Sequence, residues 1–216
     1  IMVGSLSPGA VDALAGPLGD LALALAGRRR RILRFNLELA FGGRSWRWRR
    51  ELERQIAWQT LRSALHSMAL FRMPPDELAA RATIEGRCHL EALLNAGRGF
   101  FVLSAHLGLW EAAALQVGPM LPRGLTVVYR ALDNPLLDRD VAALRKRFGN
   151  RTVNRRGGAR EILHEIRRGG SVGVLLDQRE IAERGALAPF FGVPASTALG
   201  LAKMVRRTGA PVLPMW

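Results

Sequence analysis

The sequence predicts an α/β domain with a largely parallel central sheet flanked by helices, preceded by a helical, basic N-terminal region. Three observations carry this. Beyond Pro75, short apolar runs alternate with helical stretches of about ten to fifteen residues, the pattern of βαβ units. The runs are apolar nearly throughout instead of alternating with polar residues, as strands buried on both faces are. Polar, chemistry-bearing residues stand directly after several runs, where open α/β sheets place their ligand crevices.

Taken from the N-terminus, residues 11–26 are apolar but interrupted by Asp12 and Asp20 and broken at Gly16-Pro17. A membrane-crossing helix needs about 20 mostly apolar residues, and this segment falls short. Arg28-Arg29-Arg30-Arg31 follow at once, with Arg34 one turn later. That order suits either a helix lying in a membrane interface, its basic end against phosphates, or an amphipathic helix packed on the domain. It is the reverse of a signal peptide, whose positive charge precedes the apolar part.

Residues 28–70 read as helical apart from Gly42-Gly43. Arg44, Arg47, Arg49, Arg50 and Arg54 are interleaved with Trp46, Trp48 and Trp58, a mixture that fits headgroup level at a membrane. It would also fit a nucleic-acid groove, but no zinc-finger, RRM-like or KH-like pattern accompanies it, and nucleic acid is not an expected partner. Met73-Pro74-Pro75-Asp76 ends the stretch. We therefore divide the chain into a membrane-associating helical region, 1–72, and an α/β domain, 73–216.

Within that domain the strands are expected at 100–105, 125–129, 171–176 and 211–215, with a weaker one near 151–153. The helices are expected at 87–96, 109–118, 135–148, 159–168 and 196–207. Asn134-Pro135 provides a cap and a first-turn proline for the helix that follows. Arg145, Lys146 and Arg147 fall late in that helix, on a face read as solvated and favourable to its dipole.

Composition narrows the function. Thirty-two basic residues face eighteen acidic ones, a net charge of +14, and all the basic residues but Lys146 and Lys203 are arginine. Such an excess favours anionic partners, including a membrane with anionic headgroups. The one cysteine, Cys88, excludes an internal disulfide framework and reads as a packed thiol. No second His or Cys stands at ligand spacing, so neither a metal nor another cofactor is expected.

The most informative stretch is Phe100-Phe101-Val102-Leu103-Ser104-Ala105-His106-Leu107-Gly108-Leu109-Trp110-Glu111. A buried strand ends at a histidine, and a carboxylate follows five residues later. If Gly108 opens a helix, Glu111 lies in its first turn and can fold back on the imidazole. A carboxylate holding one ring nitrogen leaves the other free to take a proton. Ser104 is not a hydrolase nucleophile, because the Gly-x-Ser-x-Gly elbow is missing and the only histidine well after it, His164, lies within an expected helix.

Other candidates follow the other strands. Arg130 stands after 125–129 and suits a phosphate with its planar fork. Arg155-Arg156-Gly157-Gly158 precedes a helix, where free N–H groups attract anions, although an ordinary turn and cap explains it equally. Asp177 and Gln178 end 171–176, where Asp177 alternatively caps a turn. In Pro189-Phe190-Phe191-Gly192-Val193-Pro194-Ala195 the two aromatics suit the wall of an apolar pocket or simple core packing, and Gly192 permits close approach.

His106-x4-Glu111, Val128-Tyr129-Arg130 with Asn134-Pro135, Arg156-Gly157-Gly158, Leu176-Asp177-Gln178 and the segment from Pro189 to Ala195 occur in the order found in one family. In these, from about Arg28 to Trp216, the chain resembles the bacterial lipid A biosynthesis (late) acyltransferases, within the wider glycerolipid acyltransferases. The resemblance implies a glycerolipid acyltransferase-like α/β fold behind a membrane-anchoring N-terminal segment, and a domain that continues beyond Trp216. It implies transfer of a fatty acyl chain from acyl carrier protein to a hydroxyl of a lipid A precursor or related glycolipid. Acyl-CoA and a phosphatidylinositol mannoside are the alternative donor and acceptor, and a non-catalytic basic membrane-binding module is the rival class. His106 and Glu111 would be catalytic. Arg130, Arg156, Gly158, Asp177, Gln178, Phe190, Phe191 and Gly192 would bind substrate. The location implied is the cytoplasmic face of the inner membrane.

Overall fold

The computed structural model describes residues 8–216; residues 1–7 of the expected N-terminal region lie outside it. Packing divides the chain into two units. One holds the chain through Arg72 together with Leu187–Ala195; the other holds Met73–Ala186 and Ser196–Trp216.

The first unit is built on α1 (Pro8–Leu25), α2 (Gly27–Phe41) and α3 (Trp46–Ala69). The expected break at Gly16-Pro17 does not occur, and α1 runs through Pro17. Proline removes one helical hydrogen bond, but tertiary packing outweighs that loss. Val11, Ala15 and Leu23 are buried along one side of α1, and Gly19 brings the backbone close against Trp58 of α3. The two aspartates that interrupt the apolar run have partners on α3. Asp20 accepts from Arg54 at 3.1 Å and from the Trp58 indole at 3.1 Å, while Asp12 pairs with Arg62. The pairs 12 with 62 and 20 with 54 set α1 antiparallel to α3. Glu53 of α3 is buried and accepts from Arg30 and Arg34 of α2, each at 2.8 Å. Burial opposes its ionisation, but the two arginines prevail and hold its carboxyl below the ordinary value.

Among the described residues no single helix is long and apolar enough to cross a membrane. Gly9–Leu25 and Gly27–Phe41 pass that test only together, and they are bent by 99° at their junction.

The second unit begins with α4 (Pro75–Arg81) and α5 (Arg87–Asn95), then β1 (Phe100–Ser104), α6 (Trp110–Val117), β2 (Leu125–Tyr129), α7 (Pro135–Arg147), β3 (Arg151–Asn154), α8 (Ala159–Arg167) and β4 (Ser171–Leu175). A two-stranded ribbon, β5 (Gly185–Phe190) and β6 (Val193–Ala198), comes next, followed by α9 (Gly200–Thr208) and β7 (Val212–Pro214). Five strands form one parallel sheet in the order β3-β2-β4-β1-β7. The expected strands therefore form, within a residue or so at their ends. The ribbon was not foreseen, and it takes residues 196–198 from the helix expected at 196–207.

Helices cover both faces of the sheet. Phe100 and Val102 pack with Leu90, Val117 and Leu121 on the side of α5 and α6, while Phe101 packs with Ile162, Ile166 and Leu201 on the side of α8 and α9. Burial on both faces is why β1 reads as an unbroken apolar run. Cys88 is exposed, not packed, because α5 buries Leu90 and its neighbours Leu93 and Leu94 instead.

Candidate active site

The site is built from two strands that are neighbours in the sheet but distant in the chain. In the register of β1 with β4, Ser104 lies opposite Leu175, and Leu176 N–H donates to the Ser104 carbonyl at 3.2 Å beyond the last pair. Two residues past each strand, His106 and Asp177 arrive level with one another. The chain leaves β1 toward β2 on one side and leaves β4 toward β7 on the other. Open α/β sheets place their ligands at the carboxyl ends of strands whose connections run in opposite directions.

Asp177 holds His106 twice. Its Oδ1 lies 2.8 Å from the imidazole Nδ1, and its Oδ2 accepts the His106 backbone N–H at 3.1 Å. An ionised carboxylate can only accept, so Nδ1 carries a proton, and in the neutral ring Nε2 keeps its lone pair. Burial raises the cost of the Asp177 charge, but the side-chain and backbone hydrogen bonds from His106 outweigh it and keep the carboxyl below its ordinary value. The Trp110 ring stands edge-on to the imidazole with centroids 5.0 Å apart. About a third of each side chain of the pair is exposed, 32% for His106 and 36% for Asp177.

The expected pairing of Glu111 with the imidazole is not made. Gly108, at φ 52°, turns the chain and Glu111 does enter the first turn of α6. There both its oxygens accept from Arg145 of α7, at 2.7 and 2.9 Å. The pair is largely buried, with 12% of the Arg145 side chain and 18% of the Glu111 side chain exposed. The guanidinium also lies 5.7 Å from the centre of the Tyr129 ring at the end of β2. The reading of Arg145 as part of a solvated face is thereby overturned. A bidentate carboxylate and an aromatic ring hold it more strongly than the helix dipole would place it in water.

The remaining candidates of the second unit lie along the same sheet edge. Arg130 follows β2 and is exposed, paired to Asp133 at 3.0 Å. Arg156 follows β3, its N–H donating to the Asn154 side chain at 2.9 Å, and Arg155 N–H donates to the Tyr129 carbonyl at 2.9 Å. Gly158 has a packing reason to be glycine, since a Cβ there would strike the Asn154 carbonyl and Val153. Gln178 is exposed beside Asp177. Asn134 caps α7 as expected, accepting from the Leu136 and Leu137 N–H groups.

Phe190, Phe191 and Gly192 belong to a different part of the chain. They form the tip of the β5–β6 ribbon, in the segment that belongs to the first unit. Phe190 is 63% exposed and Phe191 55%, so neither side chain is enclosed as the wall of an acyl-chain pocket would be. Among the described residues no group of three or more His, Cys, Asp or Glu is placed to hold a metal ion.

The chain is similar in sequence to known acyltransferases. A family model described as bacterial lipid A biosynthesis acyltransferase matches residues 1–216. The chain is 32% identical over 134 residues to a phosphatidylinositol mannoside acyltransferase of Mycobacterium tuberculosis, covering 61% of this chain and 42% of that protein. It is 29% identical over 140 residues to a lipid A biosynthesis acyltransferase of Haemophilus influenzae, covering 64% and 43%. It is also 29% identical over 199 residues to the lipid A biosynthesis lauroyltransferase of Escherichia coli, covering 91% and 64%. The chain thus spans less than two thirds of the length of each of these relatives.

Proposed function

The chain belongs to the bacterial lipid A biosynthesis acyltransferase family, and we propose that it moves a fatty acyl group from a carrier thioester to a hydroxyl of a lipid A precursor or related glycolipid. One observation carries the proposal. His106, just past the carboxyl end of β1, is fixed through Nδ1 by Asp177, and about a third of its side chain is exposed.

In this reading Nε2 takes the proton of the acceptor hydroxyl as its oxygen attacks the thioester carbonyl. Asp177 stabilises the imidazolium that results. Collapse of the tetrahedral intermediate breaks the carbon–sulfur bond, leaves the acyl ester, and returns the proton from Nε2 to the departing thiolate. A positioned histidine contributes typically 10²–10⁴-fold in such steps. Glu111 acts as a positioning residue, tying α6, which follows His106, to Arg145. Arg130 and Arg156 bind acceptor or donor phosphates, Gln178 stands next to Asp177, and Gly158 lies past β3 on the same sheet edge. No acyl-enzyme is invoked, since Ser104 lies within β1 with no activating elbow.

Acyl carrier protein is the proposed donor. These carriers are strongly acidic, and a net charge of +14 favours them. The proposed location is the cytoplasmic face of the inner membrane, held by the apolar and arginine-rich surface of α1 to α3. A second reading has acyl-CoA as donor and a mannosylated phosphatidylinositol as acceptor; the 32% identity to a phosphatidylinositol mannoside acyltransferase favours it.

The test is transfer of radiolabelled acyl groups, offering acyl carrier protein or acyl-CoA with a lipid A precursor or mannosylated phosphatidylinositol, beside His106→Ala. A His106-dependent product supports the proposal, and the best pair selects between the readings. No product with any pair, from a folded chain that still binds anionic vesicles, refutes it in favour of a non-catalytic membrane module.

A further inference from the structure

Four aromatic rings of the first unit form a continuous row. Trp48 meets Phe41 at 5.3 Å, Phe41 meets Phe191 at 5.7 Å, and Phe191 meets Phe190 at 4.8 Å, centroid to centroid. The row links the α2–α3 corner to the tip of the β5–β6 ribbon. Trp48, Phe190 and Phe191 are exposed and Phe41 is half-buried, and Leu187 of the ribbon is 76% exposed. The turn itself is strained in a telling way. Phe191 and Gly192 take φ of 50° and 77°, the positive pair of a tight hairpin turn. Asn or Gly would adopt the first of these without difficulty, whereas a bulky aromatic there is costly. Strain of this kind marks places where the side chain serves a purpose other than the turn.

Charge surrounds the row. The Arg44 guanidinium lies 5.5 Å from the centre of Trp48, and that of Arg47 lies 5.6 Å from the centre of Trp46. Indole rings with arginines over them, next to exposed phenylalanines, match the headgroup level of a bilayer, with phosphates for the arginines and acyl chains for the phenylalanines.

We propose that the tip Leu187–Phe191 is a membrane-inserting wedge, lowered into an anionic bilayer beside Trp46 and Trp48. This rests on the membrane association proposed above, and it assigns Phe190 and Phe191 to the lipid surface instead of to a substrate acyl pocket.

The test uses vesicles of phosphatidylcholine with phosphatidylglycerol. In a Cys88→Ser background, Phe190→Cys carries an environment-sensitive fluorophore, and Arg160→Cys on α8 carries the same label as a control. The expected result is a blue shift and quenching by shallow spin-labelled lipid at position 190 only. The double variant Phe190→Ser/Phe191→Ser should also bind these vesicles about tenfold or more weakly, from the apolar area withheld. If the parent chain binds but the label at 190 stays in water and the double variant binds equally, the wedge is overturned while membrane association stands. If the parent chain does not bind, both fall. A blue shift caused by acyl donor without vesicles also overturns the wedge and returns these residues to a substrate pocket.

Discussion

Glu111 stands five residues after His106, yet both its carboxylate oxygens are held by Arg145, 34 residues further on, at 2.7 and 2.9 Å. The carboxylate on His106 comes instead from Asp177, 71 residues away. This exchange separates a positioning residue from an orienting one, and it sets the order of effects expected from mutation.

Asp177→Asn should lower turnover more than Glu111→Gln does. His106→Ala should lower it by about 10²–10⁴-fold, the range for loss of a general base. With saturating donor and acceptor, initial rates of ester formation for the three folded variants decide the point. A greater loss in Glu111→Gln than in Asp177→Asn would return Glu111 to the imidazole.

The Arg145–Glu111 pair is mostly buried, so removing one partner leaves the other charge without compensation. Arg145→Leu should destabilise the fold by up to about 3 kcal/mol. Combining it with Glu111→Leu should cost less than the sum of the two, because contacting residues couple by roughly 0.5–3 kcal/mol. Urea midpoints of the four proteins measure the coupling. Simple additivity would show that the two side chains do not depend on each other.

Acid should destabilise the chain through three carboxylates. Burial works against the charge of Glu165, but Arg123 and Arg151 outweigh it, and Glu53 and Asp177 are likewise held below their ordinary values. A carboxylate whose value is lower in the folded state favours folding above its ordinary value, and that contribution is lost as pH falls toward its folded value. The ordinary values are 4.5 for the two glutamates and 3.8 for Asp177. Thermal midpoints should therefore feel no contribution to their slope from these groups between neutrality and about pH 5.5, then fall below about pH 4.5. Glu165→Gln should lower the midpoint at neutral pH and make the acid slope shallower. An unchanged slope would remove Glu165 from the account.

Gly158→Ala separates packing from ligand binding. A Cβ would strike the Asn154 carbonyl and Val153, and overpacking of this kind costs about 1–3 kcal/mol. The loss should appear in stability without any substrate present. A variant of full stability with a raised KM would instead make Gly158 a substrate contact.

The sequence by itself determined the sheet. Runs such as Phe100–Leu103 and Ser171–Leu175 are buried on both faces, and that burial is written locally as continuous apolar residues. It also determined that His106 and Asp177 each stand just past a strand, since chain position alone places them at the carboxyl edge. Only the tertiary structure decided which carboxylate meets the imidazole. That depends on β4 lying beside β1 and on register, and neither leaves a local mark in the chain. The same holds in the first unit, where Asp12 and Asp20 look like interruptions until Arg62, Arg54 and Trp58 are brought opposite them. The β5–β6 ribbon escaped the sequence for a related reason. Its turn places Phe191 at a positive φ that favours glycine or asparagine, so only the glycine of the usual Asn-Gly pair is present and long-range packing reveals the strand pair.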